Sequence, residues 1–185
     1  MEAAASIKWP NVPACYEWLS LDRRGNWRLQ GEPLTHRGLI AFLNAHYAVD
    51  DRGCCYVQNG PQRVYVDLAC TPWIYRRHGQ GFVTHVGGMA GDLRRLLIDG
   101  QGNLLLDAAP GIGLLDDRDL APLIDEIRRD HGGVPDDTDW QSILDGRRIA
   151  LNWHGIPLEP VEAAALAGDF GFNPRPRPAA APGTA

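Results

Sequence analysis

A short phrase recurs three times along the chain and constrains its fold more than any other feature. Each copy reads as an apolar strand, an acidic-glycine turn and a second strand, and the copies begin at Leu21, Ile98 and Leu144. The first and third copies continue into a Gly-x-Pro-apolar corner, and a stretch with helical spacing follows each copy. Because a unit this small cannot bury its own apolar face, the phrase predicts a fold assembled by stacking units.

The pattern predicts an α+β protein of tandem repeated units, each a curved antiparallel β-sheet, half-barrel-like, packed by one helix. The last residues of the chain are rich in proline and alanine and lack apolar anchors, so they are predicted to be disordered. The predicted units are a first β-rich unit with a helix at 1–78, a second β/α unit at 79–132, a C-terminal partial repeat at 133–172 and a disordered tail at 173–185.

Local signals place several elements along the chain. Asn59-Gly60 predicts a hairpin between two alternating segments. Pro72 cannot donate a hydrogen bond to a β-ladder, so 71–75 is predicted as an edge strand. The acidic segment 135–139 is predicted as a loop that leads into the third hairpin. Trp9 is expected to fold back onto the core, since an indole in a mobile arm would stay in water.

The composition of the chain restricts the binding partners and the cellular compartment that we expect for it. The 185 residues carry a net charge of −5, which argues against a general grip on a phosphate backbone, so we expect no nucleic-acid partner. No apolar run approaches the about 18 residues of a membrane span, and the first residues do not resemble a signal peptide. Without C-x-x-C spacing, the cysteines are expected to be free thiols in a reducing cytoplasm. They are Cys15, Cys54, Cys55 and Cys70.

The N-terminal part of the chain carries motifs of a known family. The residues that match read Trp9-x-x-x-Pro13-x-Cys15, then Leu21-x-x-x-Gly25-x-Trp27-x-x-x-Gly31-x-Pro33-Leu34-x-x-Arg37. The pattern resembles the uncharacterised bacterial family "domain of unknown function 1285", over roughly residues 9–130. The resemblance implies an α+β fold with repeated structural motifs and a role in signal transduction.

The chain departs from that family at one point. Where the family has an acidic pair before the proline of its edge strand, this chain has Ala69-Cys70-Thr71-Pro72. A role for those carboxylates therefore does not carry over to this chain. The family has no established catalytic residues, so the resemblance implies none here.

The spacing of the histidines indicates whether the chain can form a metal site or supply a general base. No two of the six have the i, i+4 helical spacing or the i, i+2 strand spacing that places two imidazoles on one face. We therefore expect no metal site, no cofactor and no catalytic residues. The six are His36, His46, His78, His85, His131 and His154.

The first unit is rich in aromatic and guanidinium side chains. On a curved sheet such side chains form a concave face suited to a planar or anionic ligand, or to a partner's peptide. The alternative is that Trp27 and Trp73 fill the core between sheet and helix, since aromatic residues dominate small cores. The predicted ligand-binding residues are Trp27, Arg37, Tyr65, Trp73 and Arg76.

The function predicted from these features is a non-enzymatic module that binds a small molecule or a protein partner in bacterial signal transduction. A first alternative is a small metal- or thiol-dependent enzyme built around His85, Cys70 and Asp67. A second alternative is a scaffold that adds a partner's strand to the edge strand at 72–77. The sequence leaves the ligand and the oligomeric state open.

Overall fold

Two β-sheets account for most of the regular structure in the computed structural model, which describes residues 10–178. The first sheet contains β1 (Ala14–Leu21), β2 (Trp27–Leu29), β3 (Glu32–Pro33), β4 (Tyr47–Val49), β5 (Cys55–Asn59) and β6 (Gln62–Leu68). The second contains β7 (Trp73–His78), β8 (Gly81–Thr84), β9 (Arg95–Asp99), β10 (Leu104–Ala108), β11 (Gly111–Leu115), β12 (Arg128–Arg129), β13 (Leu151–Trp153) and β14 (Ile156–Val161). The helices are α1 (Arg37–His46), α2 (Leu120–Ile124), α3 (Asp137–Leu144) and α4 (Leu166–Asp169), with one 3₁₀ turn at Asp117–Asp119.

The fold is α+β, as predicted, and both sheets are curved. The first sheet has the order β3-β2-β1-β6-β5-β4, and the second has the order β12-β13-β14-β9-β10-β11-β7-β8. Both sheets are mixed rather than purely antiparallel, since β1 pairs with β6, β7 with β11 and β9 with β14 in parallel. Parallel neighbours need a crossover connection, and each of these pairs is joined through other strands or a helix.

The second sheet is buried on both faces at its centre. In β9 and β10, Leu97 and Leu105 join the core shared with the first sheet, whereas Leu96 and Leu104 join a second core on the opposite face. Leu123 of α2 completes this second core, along with other residues of the helices and of β13. Continuous apolar runs are typical of strands covered on two sides, and the triplets at 96–98 and 104–106 carry that signal.

Three turns in the structure share one hydrogen-bonding pattern. They span 22–26, 50–54 and 99–103, and each begins with an aspartate and has a glycine three residues later. In each turn, Oδ1 of the aspartate accepts from the backbone N–H groups two and four residues ahead, at 2.9–3.0 Å. The glycines have φ between +71° and +80°. The acidic-glycine phrase therefore encodes a local turn; that the surrounding units are copies of one another stays a prediction.

The third copy of the phrase differs from the predicted hairpin. Residues 137–144 form α3 instead of a loop and strand, and Asp145-Gly146 ends this helix, with the Gly146 N–H donating to the Ile143 carbonyl. Asp136 begins the helix through a capping box, in which Asp136 and Asp139 accept reciprocally from each other's backbone N–H. The hairpin follows later, as β13 and β14 around a turn at His154-Gly155.

The strand predicted at the edge of the first unit lies inside the second sheet. β7 begins at Trp73, directly after Pro72, and pairs with β11 on one side and β8 on the other. Since the proline precedes the strand, no ladder hydrogen bond from it is needed. The expectation of an edge strand at 71–75, and with it the partner-strand scaffold, is therefore wrong.

The segment predicted as a disordered tail is docked over its first residues. Asn173 forms a β-bridge with Cys54, and the Leu68 N–H donates to the Pro174 carbonyl at 2.8 Å, while Phe172, directly before the segment, is 8% exposed. These contacts exist because Phe172 supplies the apolar anchor that the proline-rich residues lack. Residues 179–185, and Trp9 with its predicted packing, lie outside the described residues.

Two further expectations concern the thiols and the membrane. All four cysteines are free, with Cys15, Cys54 and Cys55 buried and Cys70 half-buried. Within residues 10–178, no helix has both the length and the apolar character needed to cross a membrane.

Candidate functional site

The two tryptophans among the predicted ligand-binding residues belong to a packed aromatic cluster between the sheets. Trp27 is 2% exposed, and its indole N–H donates to Oδ1 of Asn44 at 2.7 Å. The rings of Tyr47 and His85 contact both Trp27 and Trp73, with centroid separations of 5.2–5.9 Å. These contacts favour the alternative in which the tryptophans fill the core.

The other three predicted residues have separate surroundings. Arg37 is exposed at the first residue of α1. Tyr65 stacks on Tyr16 with a centroid separation of 4.6 Å, and Arg76 donates to Oδ2 of Asp119 at 2.8 Å. The structure therefore brings together only the two tryptophans, and none of the five side chains lines the cleft of about 660 Å³ described below.

The residues required by the enzyme alternative also have separate partners. Burial raises the pKa of the half-buried Cys70 thiol, and Asp67 accepts from Arg177 at 2.9 Å. His85 lies in the aromatic cluster. Among residues 10–178, no group of three His, Cys, Asp or Glu side chains is placed to hold a metal ion. A thiol with a raised pKa is a poor nucleophile at neutral pH.

A cleft of about 660 Å³ opens where the Asp22–Asn26 turn of the first sheet meets the second sheet. We name it the turn cleft. Two of the three shared turns contribute to it, the one at 22–26 and the one at 99–103, together with β11 and the beginning of α2. Its lining residues are Asp22, Arg23, Arg24, Asn26, Arg28, Ala69, Asn103, Leu104, Leu114, Leu115, Asp117 and Leu120.

The Asp22–Asn26 turn positions the guanidinium groups of its rim. Arg23 donates to Oδ1 of Asn103 at 2.8 Å, so the two shared turns contact each other across the cleft. Arg24 donates three hydrogen bonds to the Asp117 carboxylate, at 2.7, 3.0 and 3.2 Å. Hydrogen bonding to Asp117 raises the pKa of Arg24, which stays charged at any physiological pH.

The rim has an excess of positive charge. Three guanidinium groups face two carboxylates, those of Asp22 and Asp117. The nearest carboxylate oxygen to Arg28 belongs to Asp22, at 3.8 Å. Within the described part of the chain, no carboxylate lies within 4.0 Å of Arg23. Arg23 and Arg28 are therefore the cations available to an anion entering the cleft.

Leucine side chains form the floor beneath this charged rim. Leu104, Leu114 and Leu115 are at most 4% exposed, and Leu120 is half-buried. A floor of this kind offers dispersion contacts and burial to an apolar group, but no hydrogen bond. The cleft therefore combines an apolar floor with cationic donors at its mouth.

Gly25 lets the turn approach the second sheet closely enough to close one side of the cleft. Its φ is +76°, and a Cβ at this position would lie 2.6 Å from Cβ of His85. Any larger residue would push the turn, and with it Arg23 and Arg24, away from the second sheet.

None of the residues that line the turn cleft was among the predicted ligand-binding residues. Arg23-Arg24 is typical of a solvated turn, and nothing in its spacing distinguishes it from one. The available signal was the shared Asp-x-x-Gly pattern of 22–25 and 99–102, with two arginines where small polar residues are usual. Only the tertiary structure shows that two such turns contact each other.

The fold and the cleft define an α+β protein of two mixed sheets with a cationic cleft between them. The chain belongs to the family described as "Protein of unknown function (DUF2946)", whose model matches residues 1–177.

Two solved structures are similar to the chain. A DUF1285 family protein from Silicibacter pomeroyi DSS-3 is 19% identical, with a TM-score of 0.47 and coverage of 62% of this chain and 71% of that chain. A DUF1285 family protein from Shewanella baltica OS155 is 12% identical, with a TM-score of 0.46 and coverage of 59% and 91%. Both are described as DUF1285 family proteins, the family that residues 9–130 were predicted to resemble. No match was found among curated proteins.

Proposed function

We propose that the chain is a non-enzymatic module that binds a small organic anion with an apolar portion in the turn cleft. The observation that carries this proposal is the guanidinium rim over a leucine floor in a cleft of about 660 Å³. The anionic group would accept hydrogen bonds from Arg23 and Arg28, and the apolar portion would cover Leu104, Leu114 and Leu115.

The balance of charges at the rim supports an anion over a cation or a neutral ligand. Asp22 is already engaged by three donors of its own turn, and Asp117 by Arg24. Their acceptor capacity is largely used, so a bound amine would find few free oxygens. Arg23 and Arg28 keep unused N–H groups, and charge-assisted hydrogen bonds to a carboxylate or phosphate are the stronger kind.

The setting that we propose is the bacterial cytoplasm, in a signalling or regulatory context. The support is the resemblance of roughly residues 9–130 to a family with a suggested signalling role. Four free thiols are also typical of a reducing compartment. The alternative enzyme built on His85, Cys70 and Asp67 receives no support from their separate surroundings.

The test is a binding screen of aliphatic carboxylates and phosphate monoesters, followed by titration calorimetry. We expect Arg23→Gln and Arg28→Gln each to weaken the best compound about 10- to 100-fold, the loss typical of one hydrogen bond to a charged group. Leu120→Glu should abolish binding, because it places a carboxylate in the floor.

The matched control is Arg148→Gln, which removes an equally charged side chain that is 81% exposed and does not line the cleft. It should leave affinity unchanged. The proposal fails if no compound of either series binds, or if all three arginine variants lose affinity equally.

A further inference from the structure

A second cleft of about 310 Å³ adjoins the turn cleft, and the C-terminal residues form one of its walls. We name residues 170–178 the C-terminal strap and this second space the strap cleft. The two clefts share Asp22, Arg28 and Ala69, so they lie side by side with Arg28 lining both, and we call the two together the groove. The strap cleft is lined by Ser20, Leu21, Asp22, Arg28, Asp67, Leu68, Ala69, Arg175 and Arg177.

The C-terminal strap is held in place from both ends. Phe172 inserts into the core of the first sheet, and the Asn173 N–H donates to the Gly53 carbonyl at 2.9 Å. A side-chain carbon at Gly53 would overlap the carbonyl of Gly171, so the strap packs directly onto the 50–54 turn. Arg177 pairs with Asp67 at 2.9 Å and with Glu17 at 3.2 Å.

Because two carboxylates neutralise Arg177, Arg175 carries the available charge of the strap. Arg175 is exposed and lines the strap cleft. No carboxylate in residues 10–178 lies within 4.0 Å of its guanidinium. The groove therefore presents uncompensated cations at both ends, Arg23 in the turn cleft and Arg175 in the strap cleft, with Arg28 between them.

We propose that the ligand is an extended organic dianion that spans both clefts, with one anionic group on Arg23 and the other on Arg175. This inference rests on the proposed function of the turn cleft and adds the class of ligand. A monoanion would leave the guanidinium at one end of the groove without an anionic partner. Two anionic groups held apart by an aliphatic chain each meet a cation, while the chain covers the leucine floor.

The experiment compares paired ligands that differ only in their second charge. Suberate is compared with octanoate, and sebacate with decanoate, by titration calorimetry on the full chain. We expect at least one dianion to bind about tenfold more tightly than its monoanionic partner, which is the contribution of one additional charge-assisted hydrogen bond.

Variants assign that difference to the strap. Arg175→Gln should remove the dianion preference and leave the monoanion affinity unchanged, whereas Arg23→Gln should weaken both members of a pair. Arg175 is exposed and its side chain has no hydrogen bond within the described residues, so the variant should keep the melting temperature of the parent. A preserved melting temperature shows that any loss of affinity is not a loss of fold.

The outcomes separate this inference from the proposed function. If monoanions bind and respond to Arg23→Gln but dianions bind no more tightly, only the dianion inference is overturned. A dianion preference that survives Arg175→Gln would overturn the same inference, since the second anionic group would then have another partner. If no member of either pair binds, the dianion inference is overturned, and if the screened carboxylates and phosphate monoesters also fail to bind, so is the anion-binding function itself.

Discussion

Single aspartate side chains shape three loops of this protein in the same way. In each loop the aspartate side chain accepts hydrogen bonds from backbone N–H groups that would otherwise need water, and a glycine with positive φ lies three residues later. The three residues are Asp22, Asp50 and Asp99. Such turns depend only on residues within five positions, so they form wherever the spacing occurs. Where each turn points, and what it meets, depends on the sheet beneath it.

His85 is the residue whose surroundings predict a measurable pH dependence. Its Nε2 is buried without a hydrogen-bond partner among the described residues, and its Nδ1 accepts from the Ile74 N–H at 3.4 Å. Burial lowers the pKa of His85 to about 4. Protonation in the folded state would bury a charge among aromatic rings and turn Nδ1 into a second donor facing the Ile74 N–H.

We expect stability to fall as the pH drops from about 6.5 towards 4. Below pH 6.5 the unfolded chain takes up a proton at His85 that the folded chain does not, so the unfolded state is favoured. Between pH 7 and pH 5, this difference lowers the free energy of unfolding by about 2 kcal/mol. Urea unfolding at both pH values measures it.

The variant His85→Phe isolates this contribution, because phenylalanine keeps the aromatic contacts and does not titrate. Its free energy of unfolding should change by about 2 kcal/mol less than that of the parent between pH 7 and pH 5. Equal pH dependence in the two proteins would show that His85 is not the group responsible.

Among the helices and strands, α3 shows how a capping signal overrides a turn signal. The segment 135–145 contains both an acidic cluster and an Asp-Gly pair, and the sequence pattern favours a loop and a hairpin. The capping box of Asp136 and Asp139 instead starts a helix that buries Ile143 in the second core. Burial of one apolar face stabilises so short a helix more than local propensity does.

We expect Asp136→Ala to destabilise the protein by about 1 kcal/mol, the usual cost of removing an N-cap. The ion pair of Asp136 with Arg129 is exposed and adds little. Denaturant unfolding at neutral pH gives the value. Asp136→Asn should stay close to the parent, since the amide oxygen also caps.

Asp137→Ala is the matched control for this prediction. Asp137 is the adjacent exposed acid, and it makes no side-chain hydrogen bond within the described chain. Asp137→Ala should lower the free energy of unfolding by only about a few tenths of a kcal/mol, because it removes a negative charge near the positive end of the helix dipole. Equal losses in Asp136→Ala and Asp137→Ala would argue that charge, not capping, begins α3.

Other elements show which signals in the sequence are reliable. Asn59-Gly60 predicted the β5–β6 hairpin, and His36 caps α1 by accepting a hydrogen bond from the Leu39 N–H. Both depend on neighbours in sequence. The position of β7 in its sheet was not predictable in this way. A proline fits an edge strand, but it fits equally well just before an inner strand, which is where Pro72 lies.

Across the molecule as a whole, the two sheets share one core and should unfold together. Leu19 and Trp27 of the first sheet pack in the same cluster as Leu97, Leu105 and Leu114 of the second. The first predicted unit also ends with β7, which pairs in the other sheet. Neither sheet can separate without exposing residues that are almost fully buried.

We expect a single thermal transition, with coincident midpoints by tryptophan fluorescence and far-ultraviolet circular dichroism. Calorimetric and van't Hoff enthalpies should also agree. Two transitions, or a fragment 1–78 that folds by itself, would contradict the shared core and support independent units instead.

Patterns along the chain were enough to predict the acidic-glycine turns at 22–26 and 99–103, the hairpins around them and the β5–β6 hairpin. Each of these depends on local hydrogen bonding or on side-chain periodicity, which neighbouring residues fix. No such pattern indicates that Arg23 lies above Leu114 in one cleft, or that Arg175 returns to the same groove. These residues are far apart in the chain, and parallel strand pairing and the anchoring of Phe172 bring them together. Their positions follow from long-range packing, which no local spacing encodes.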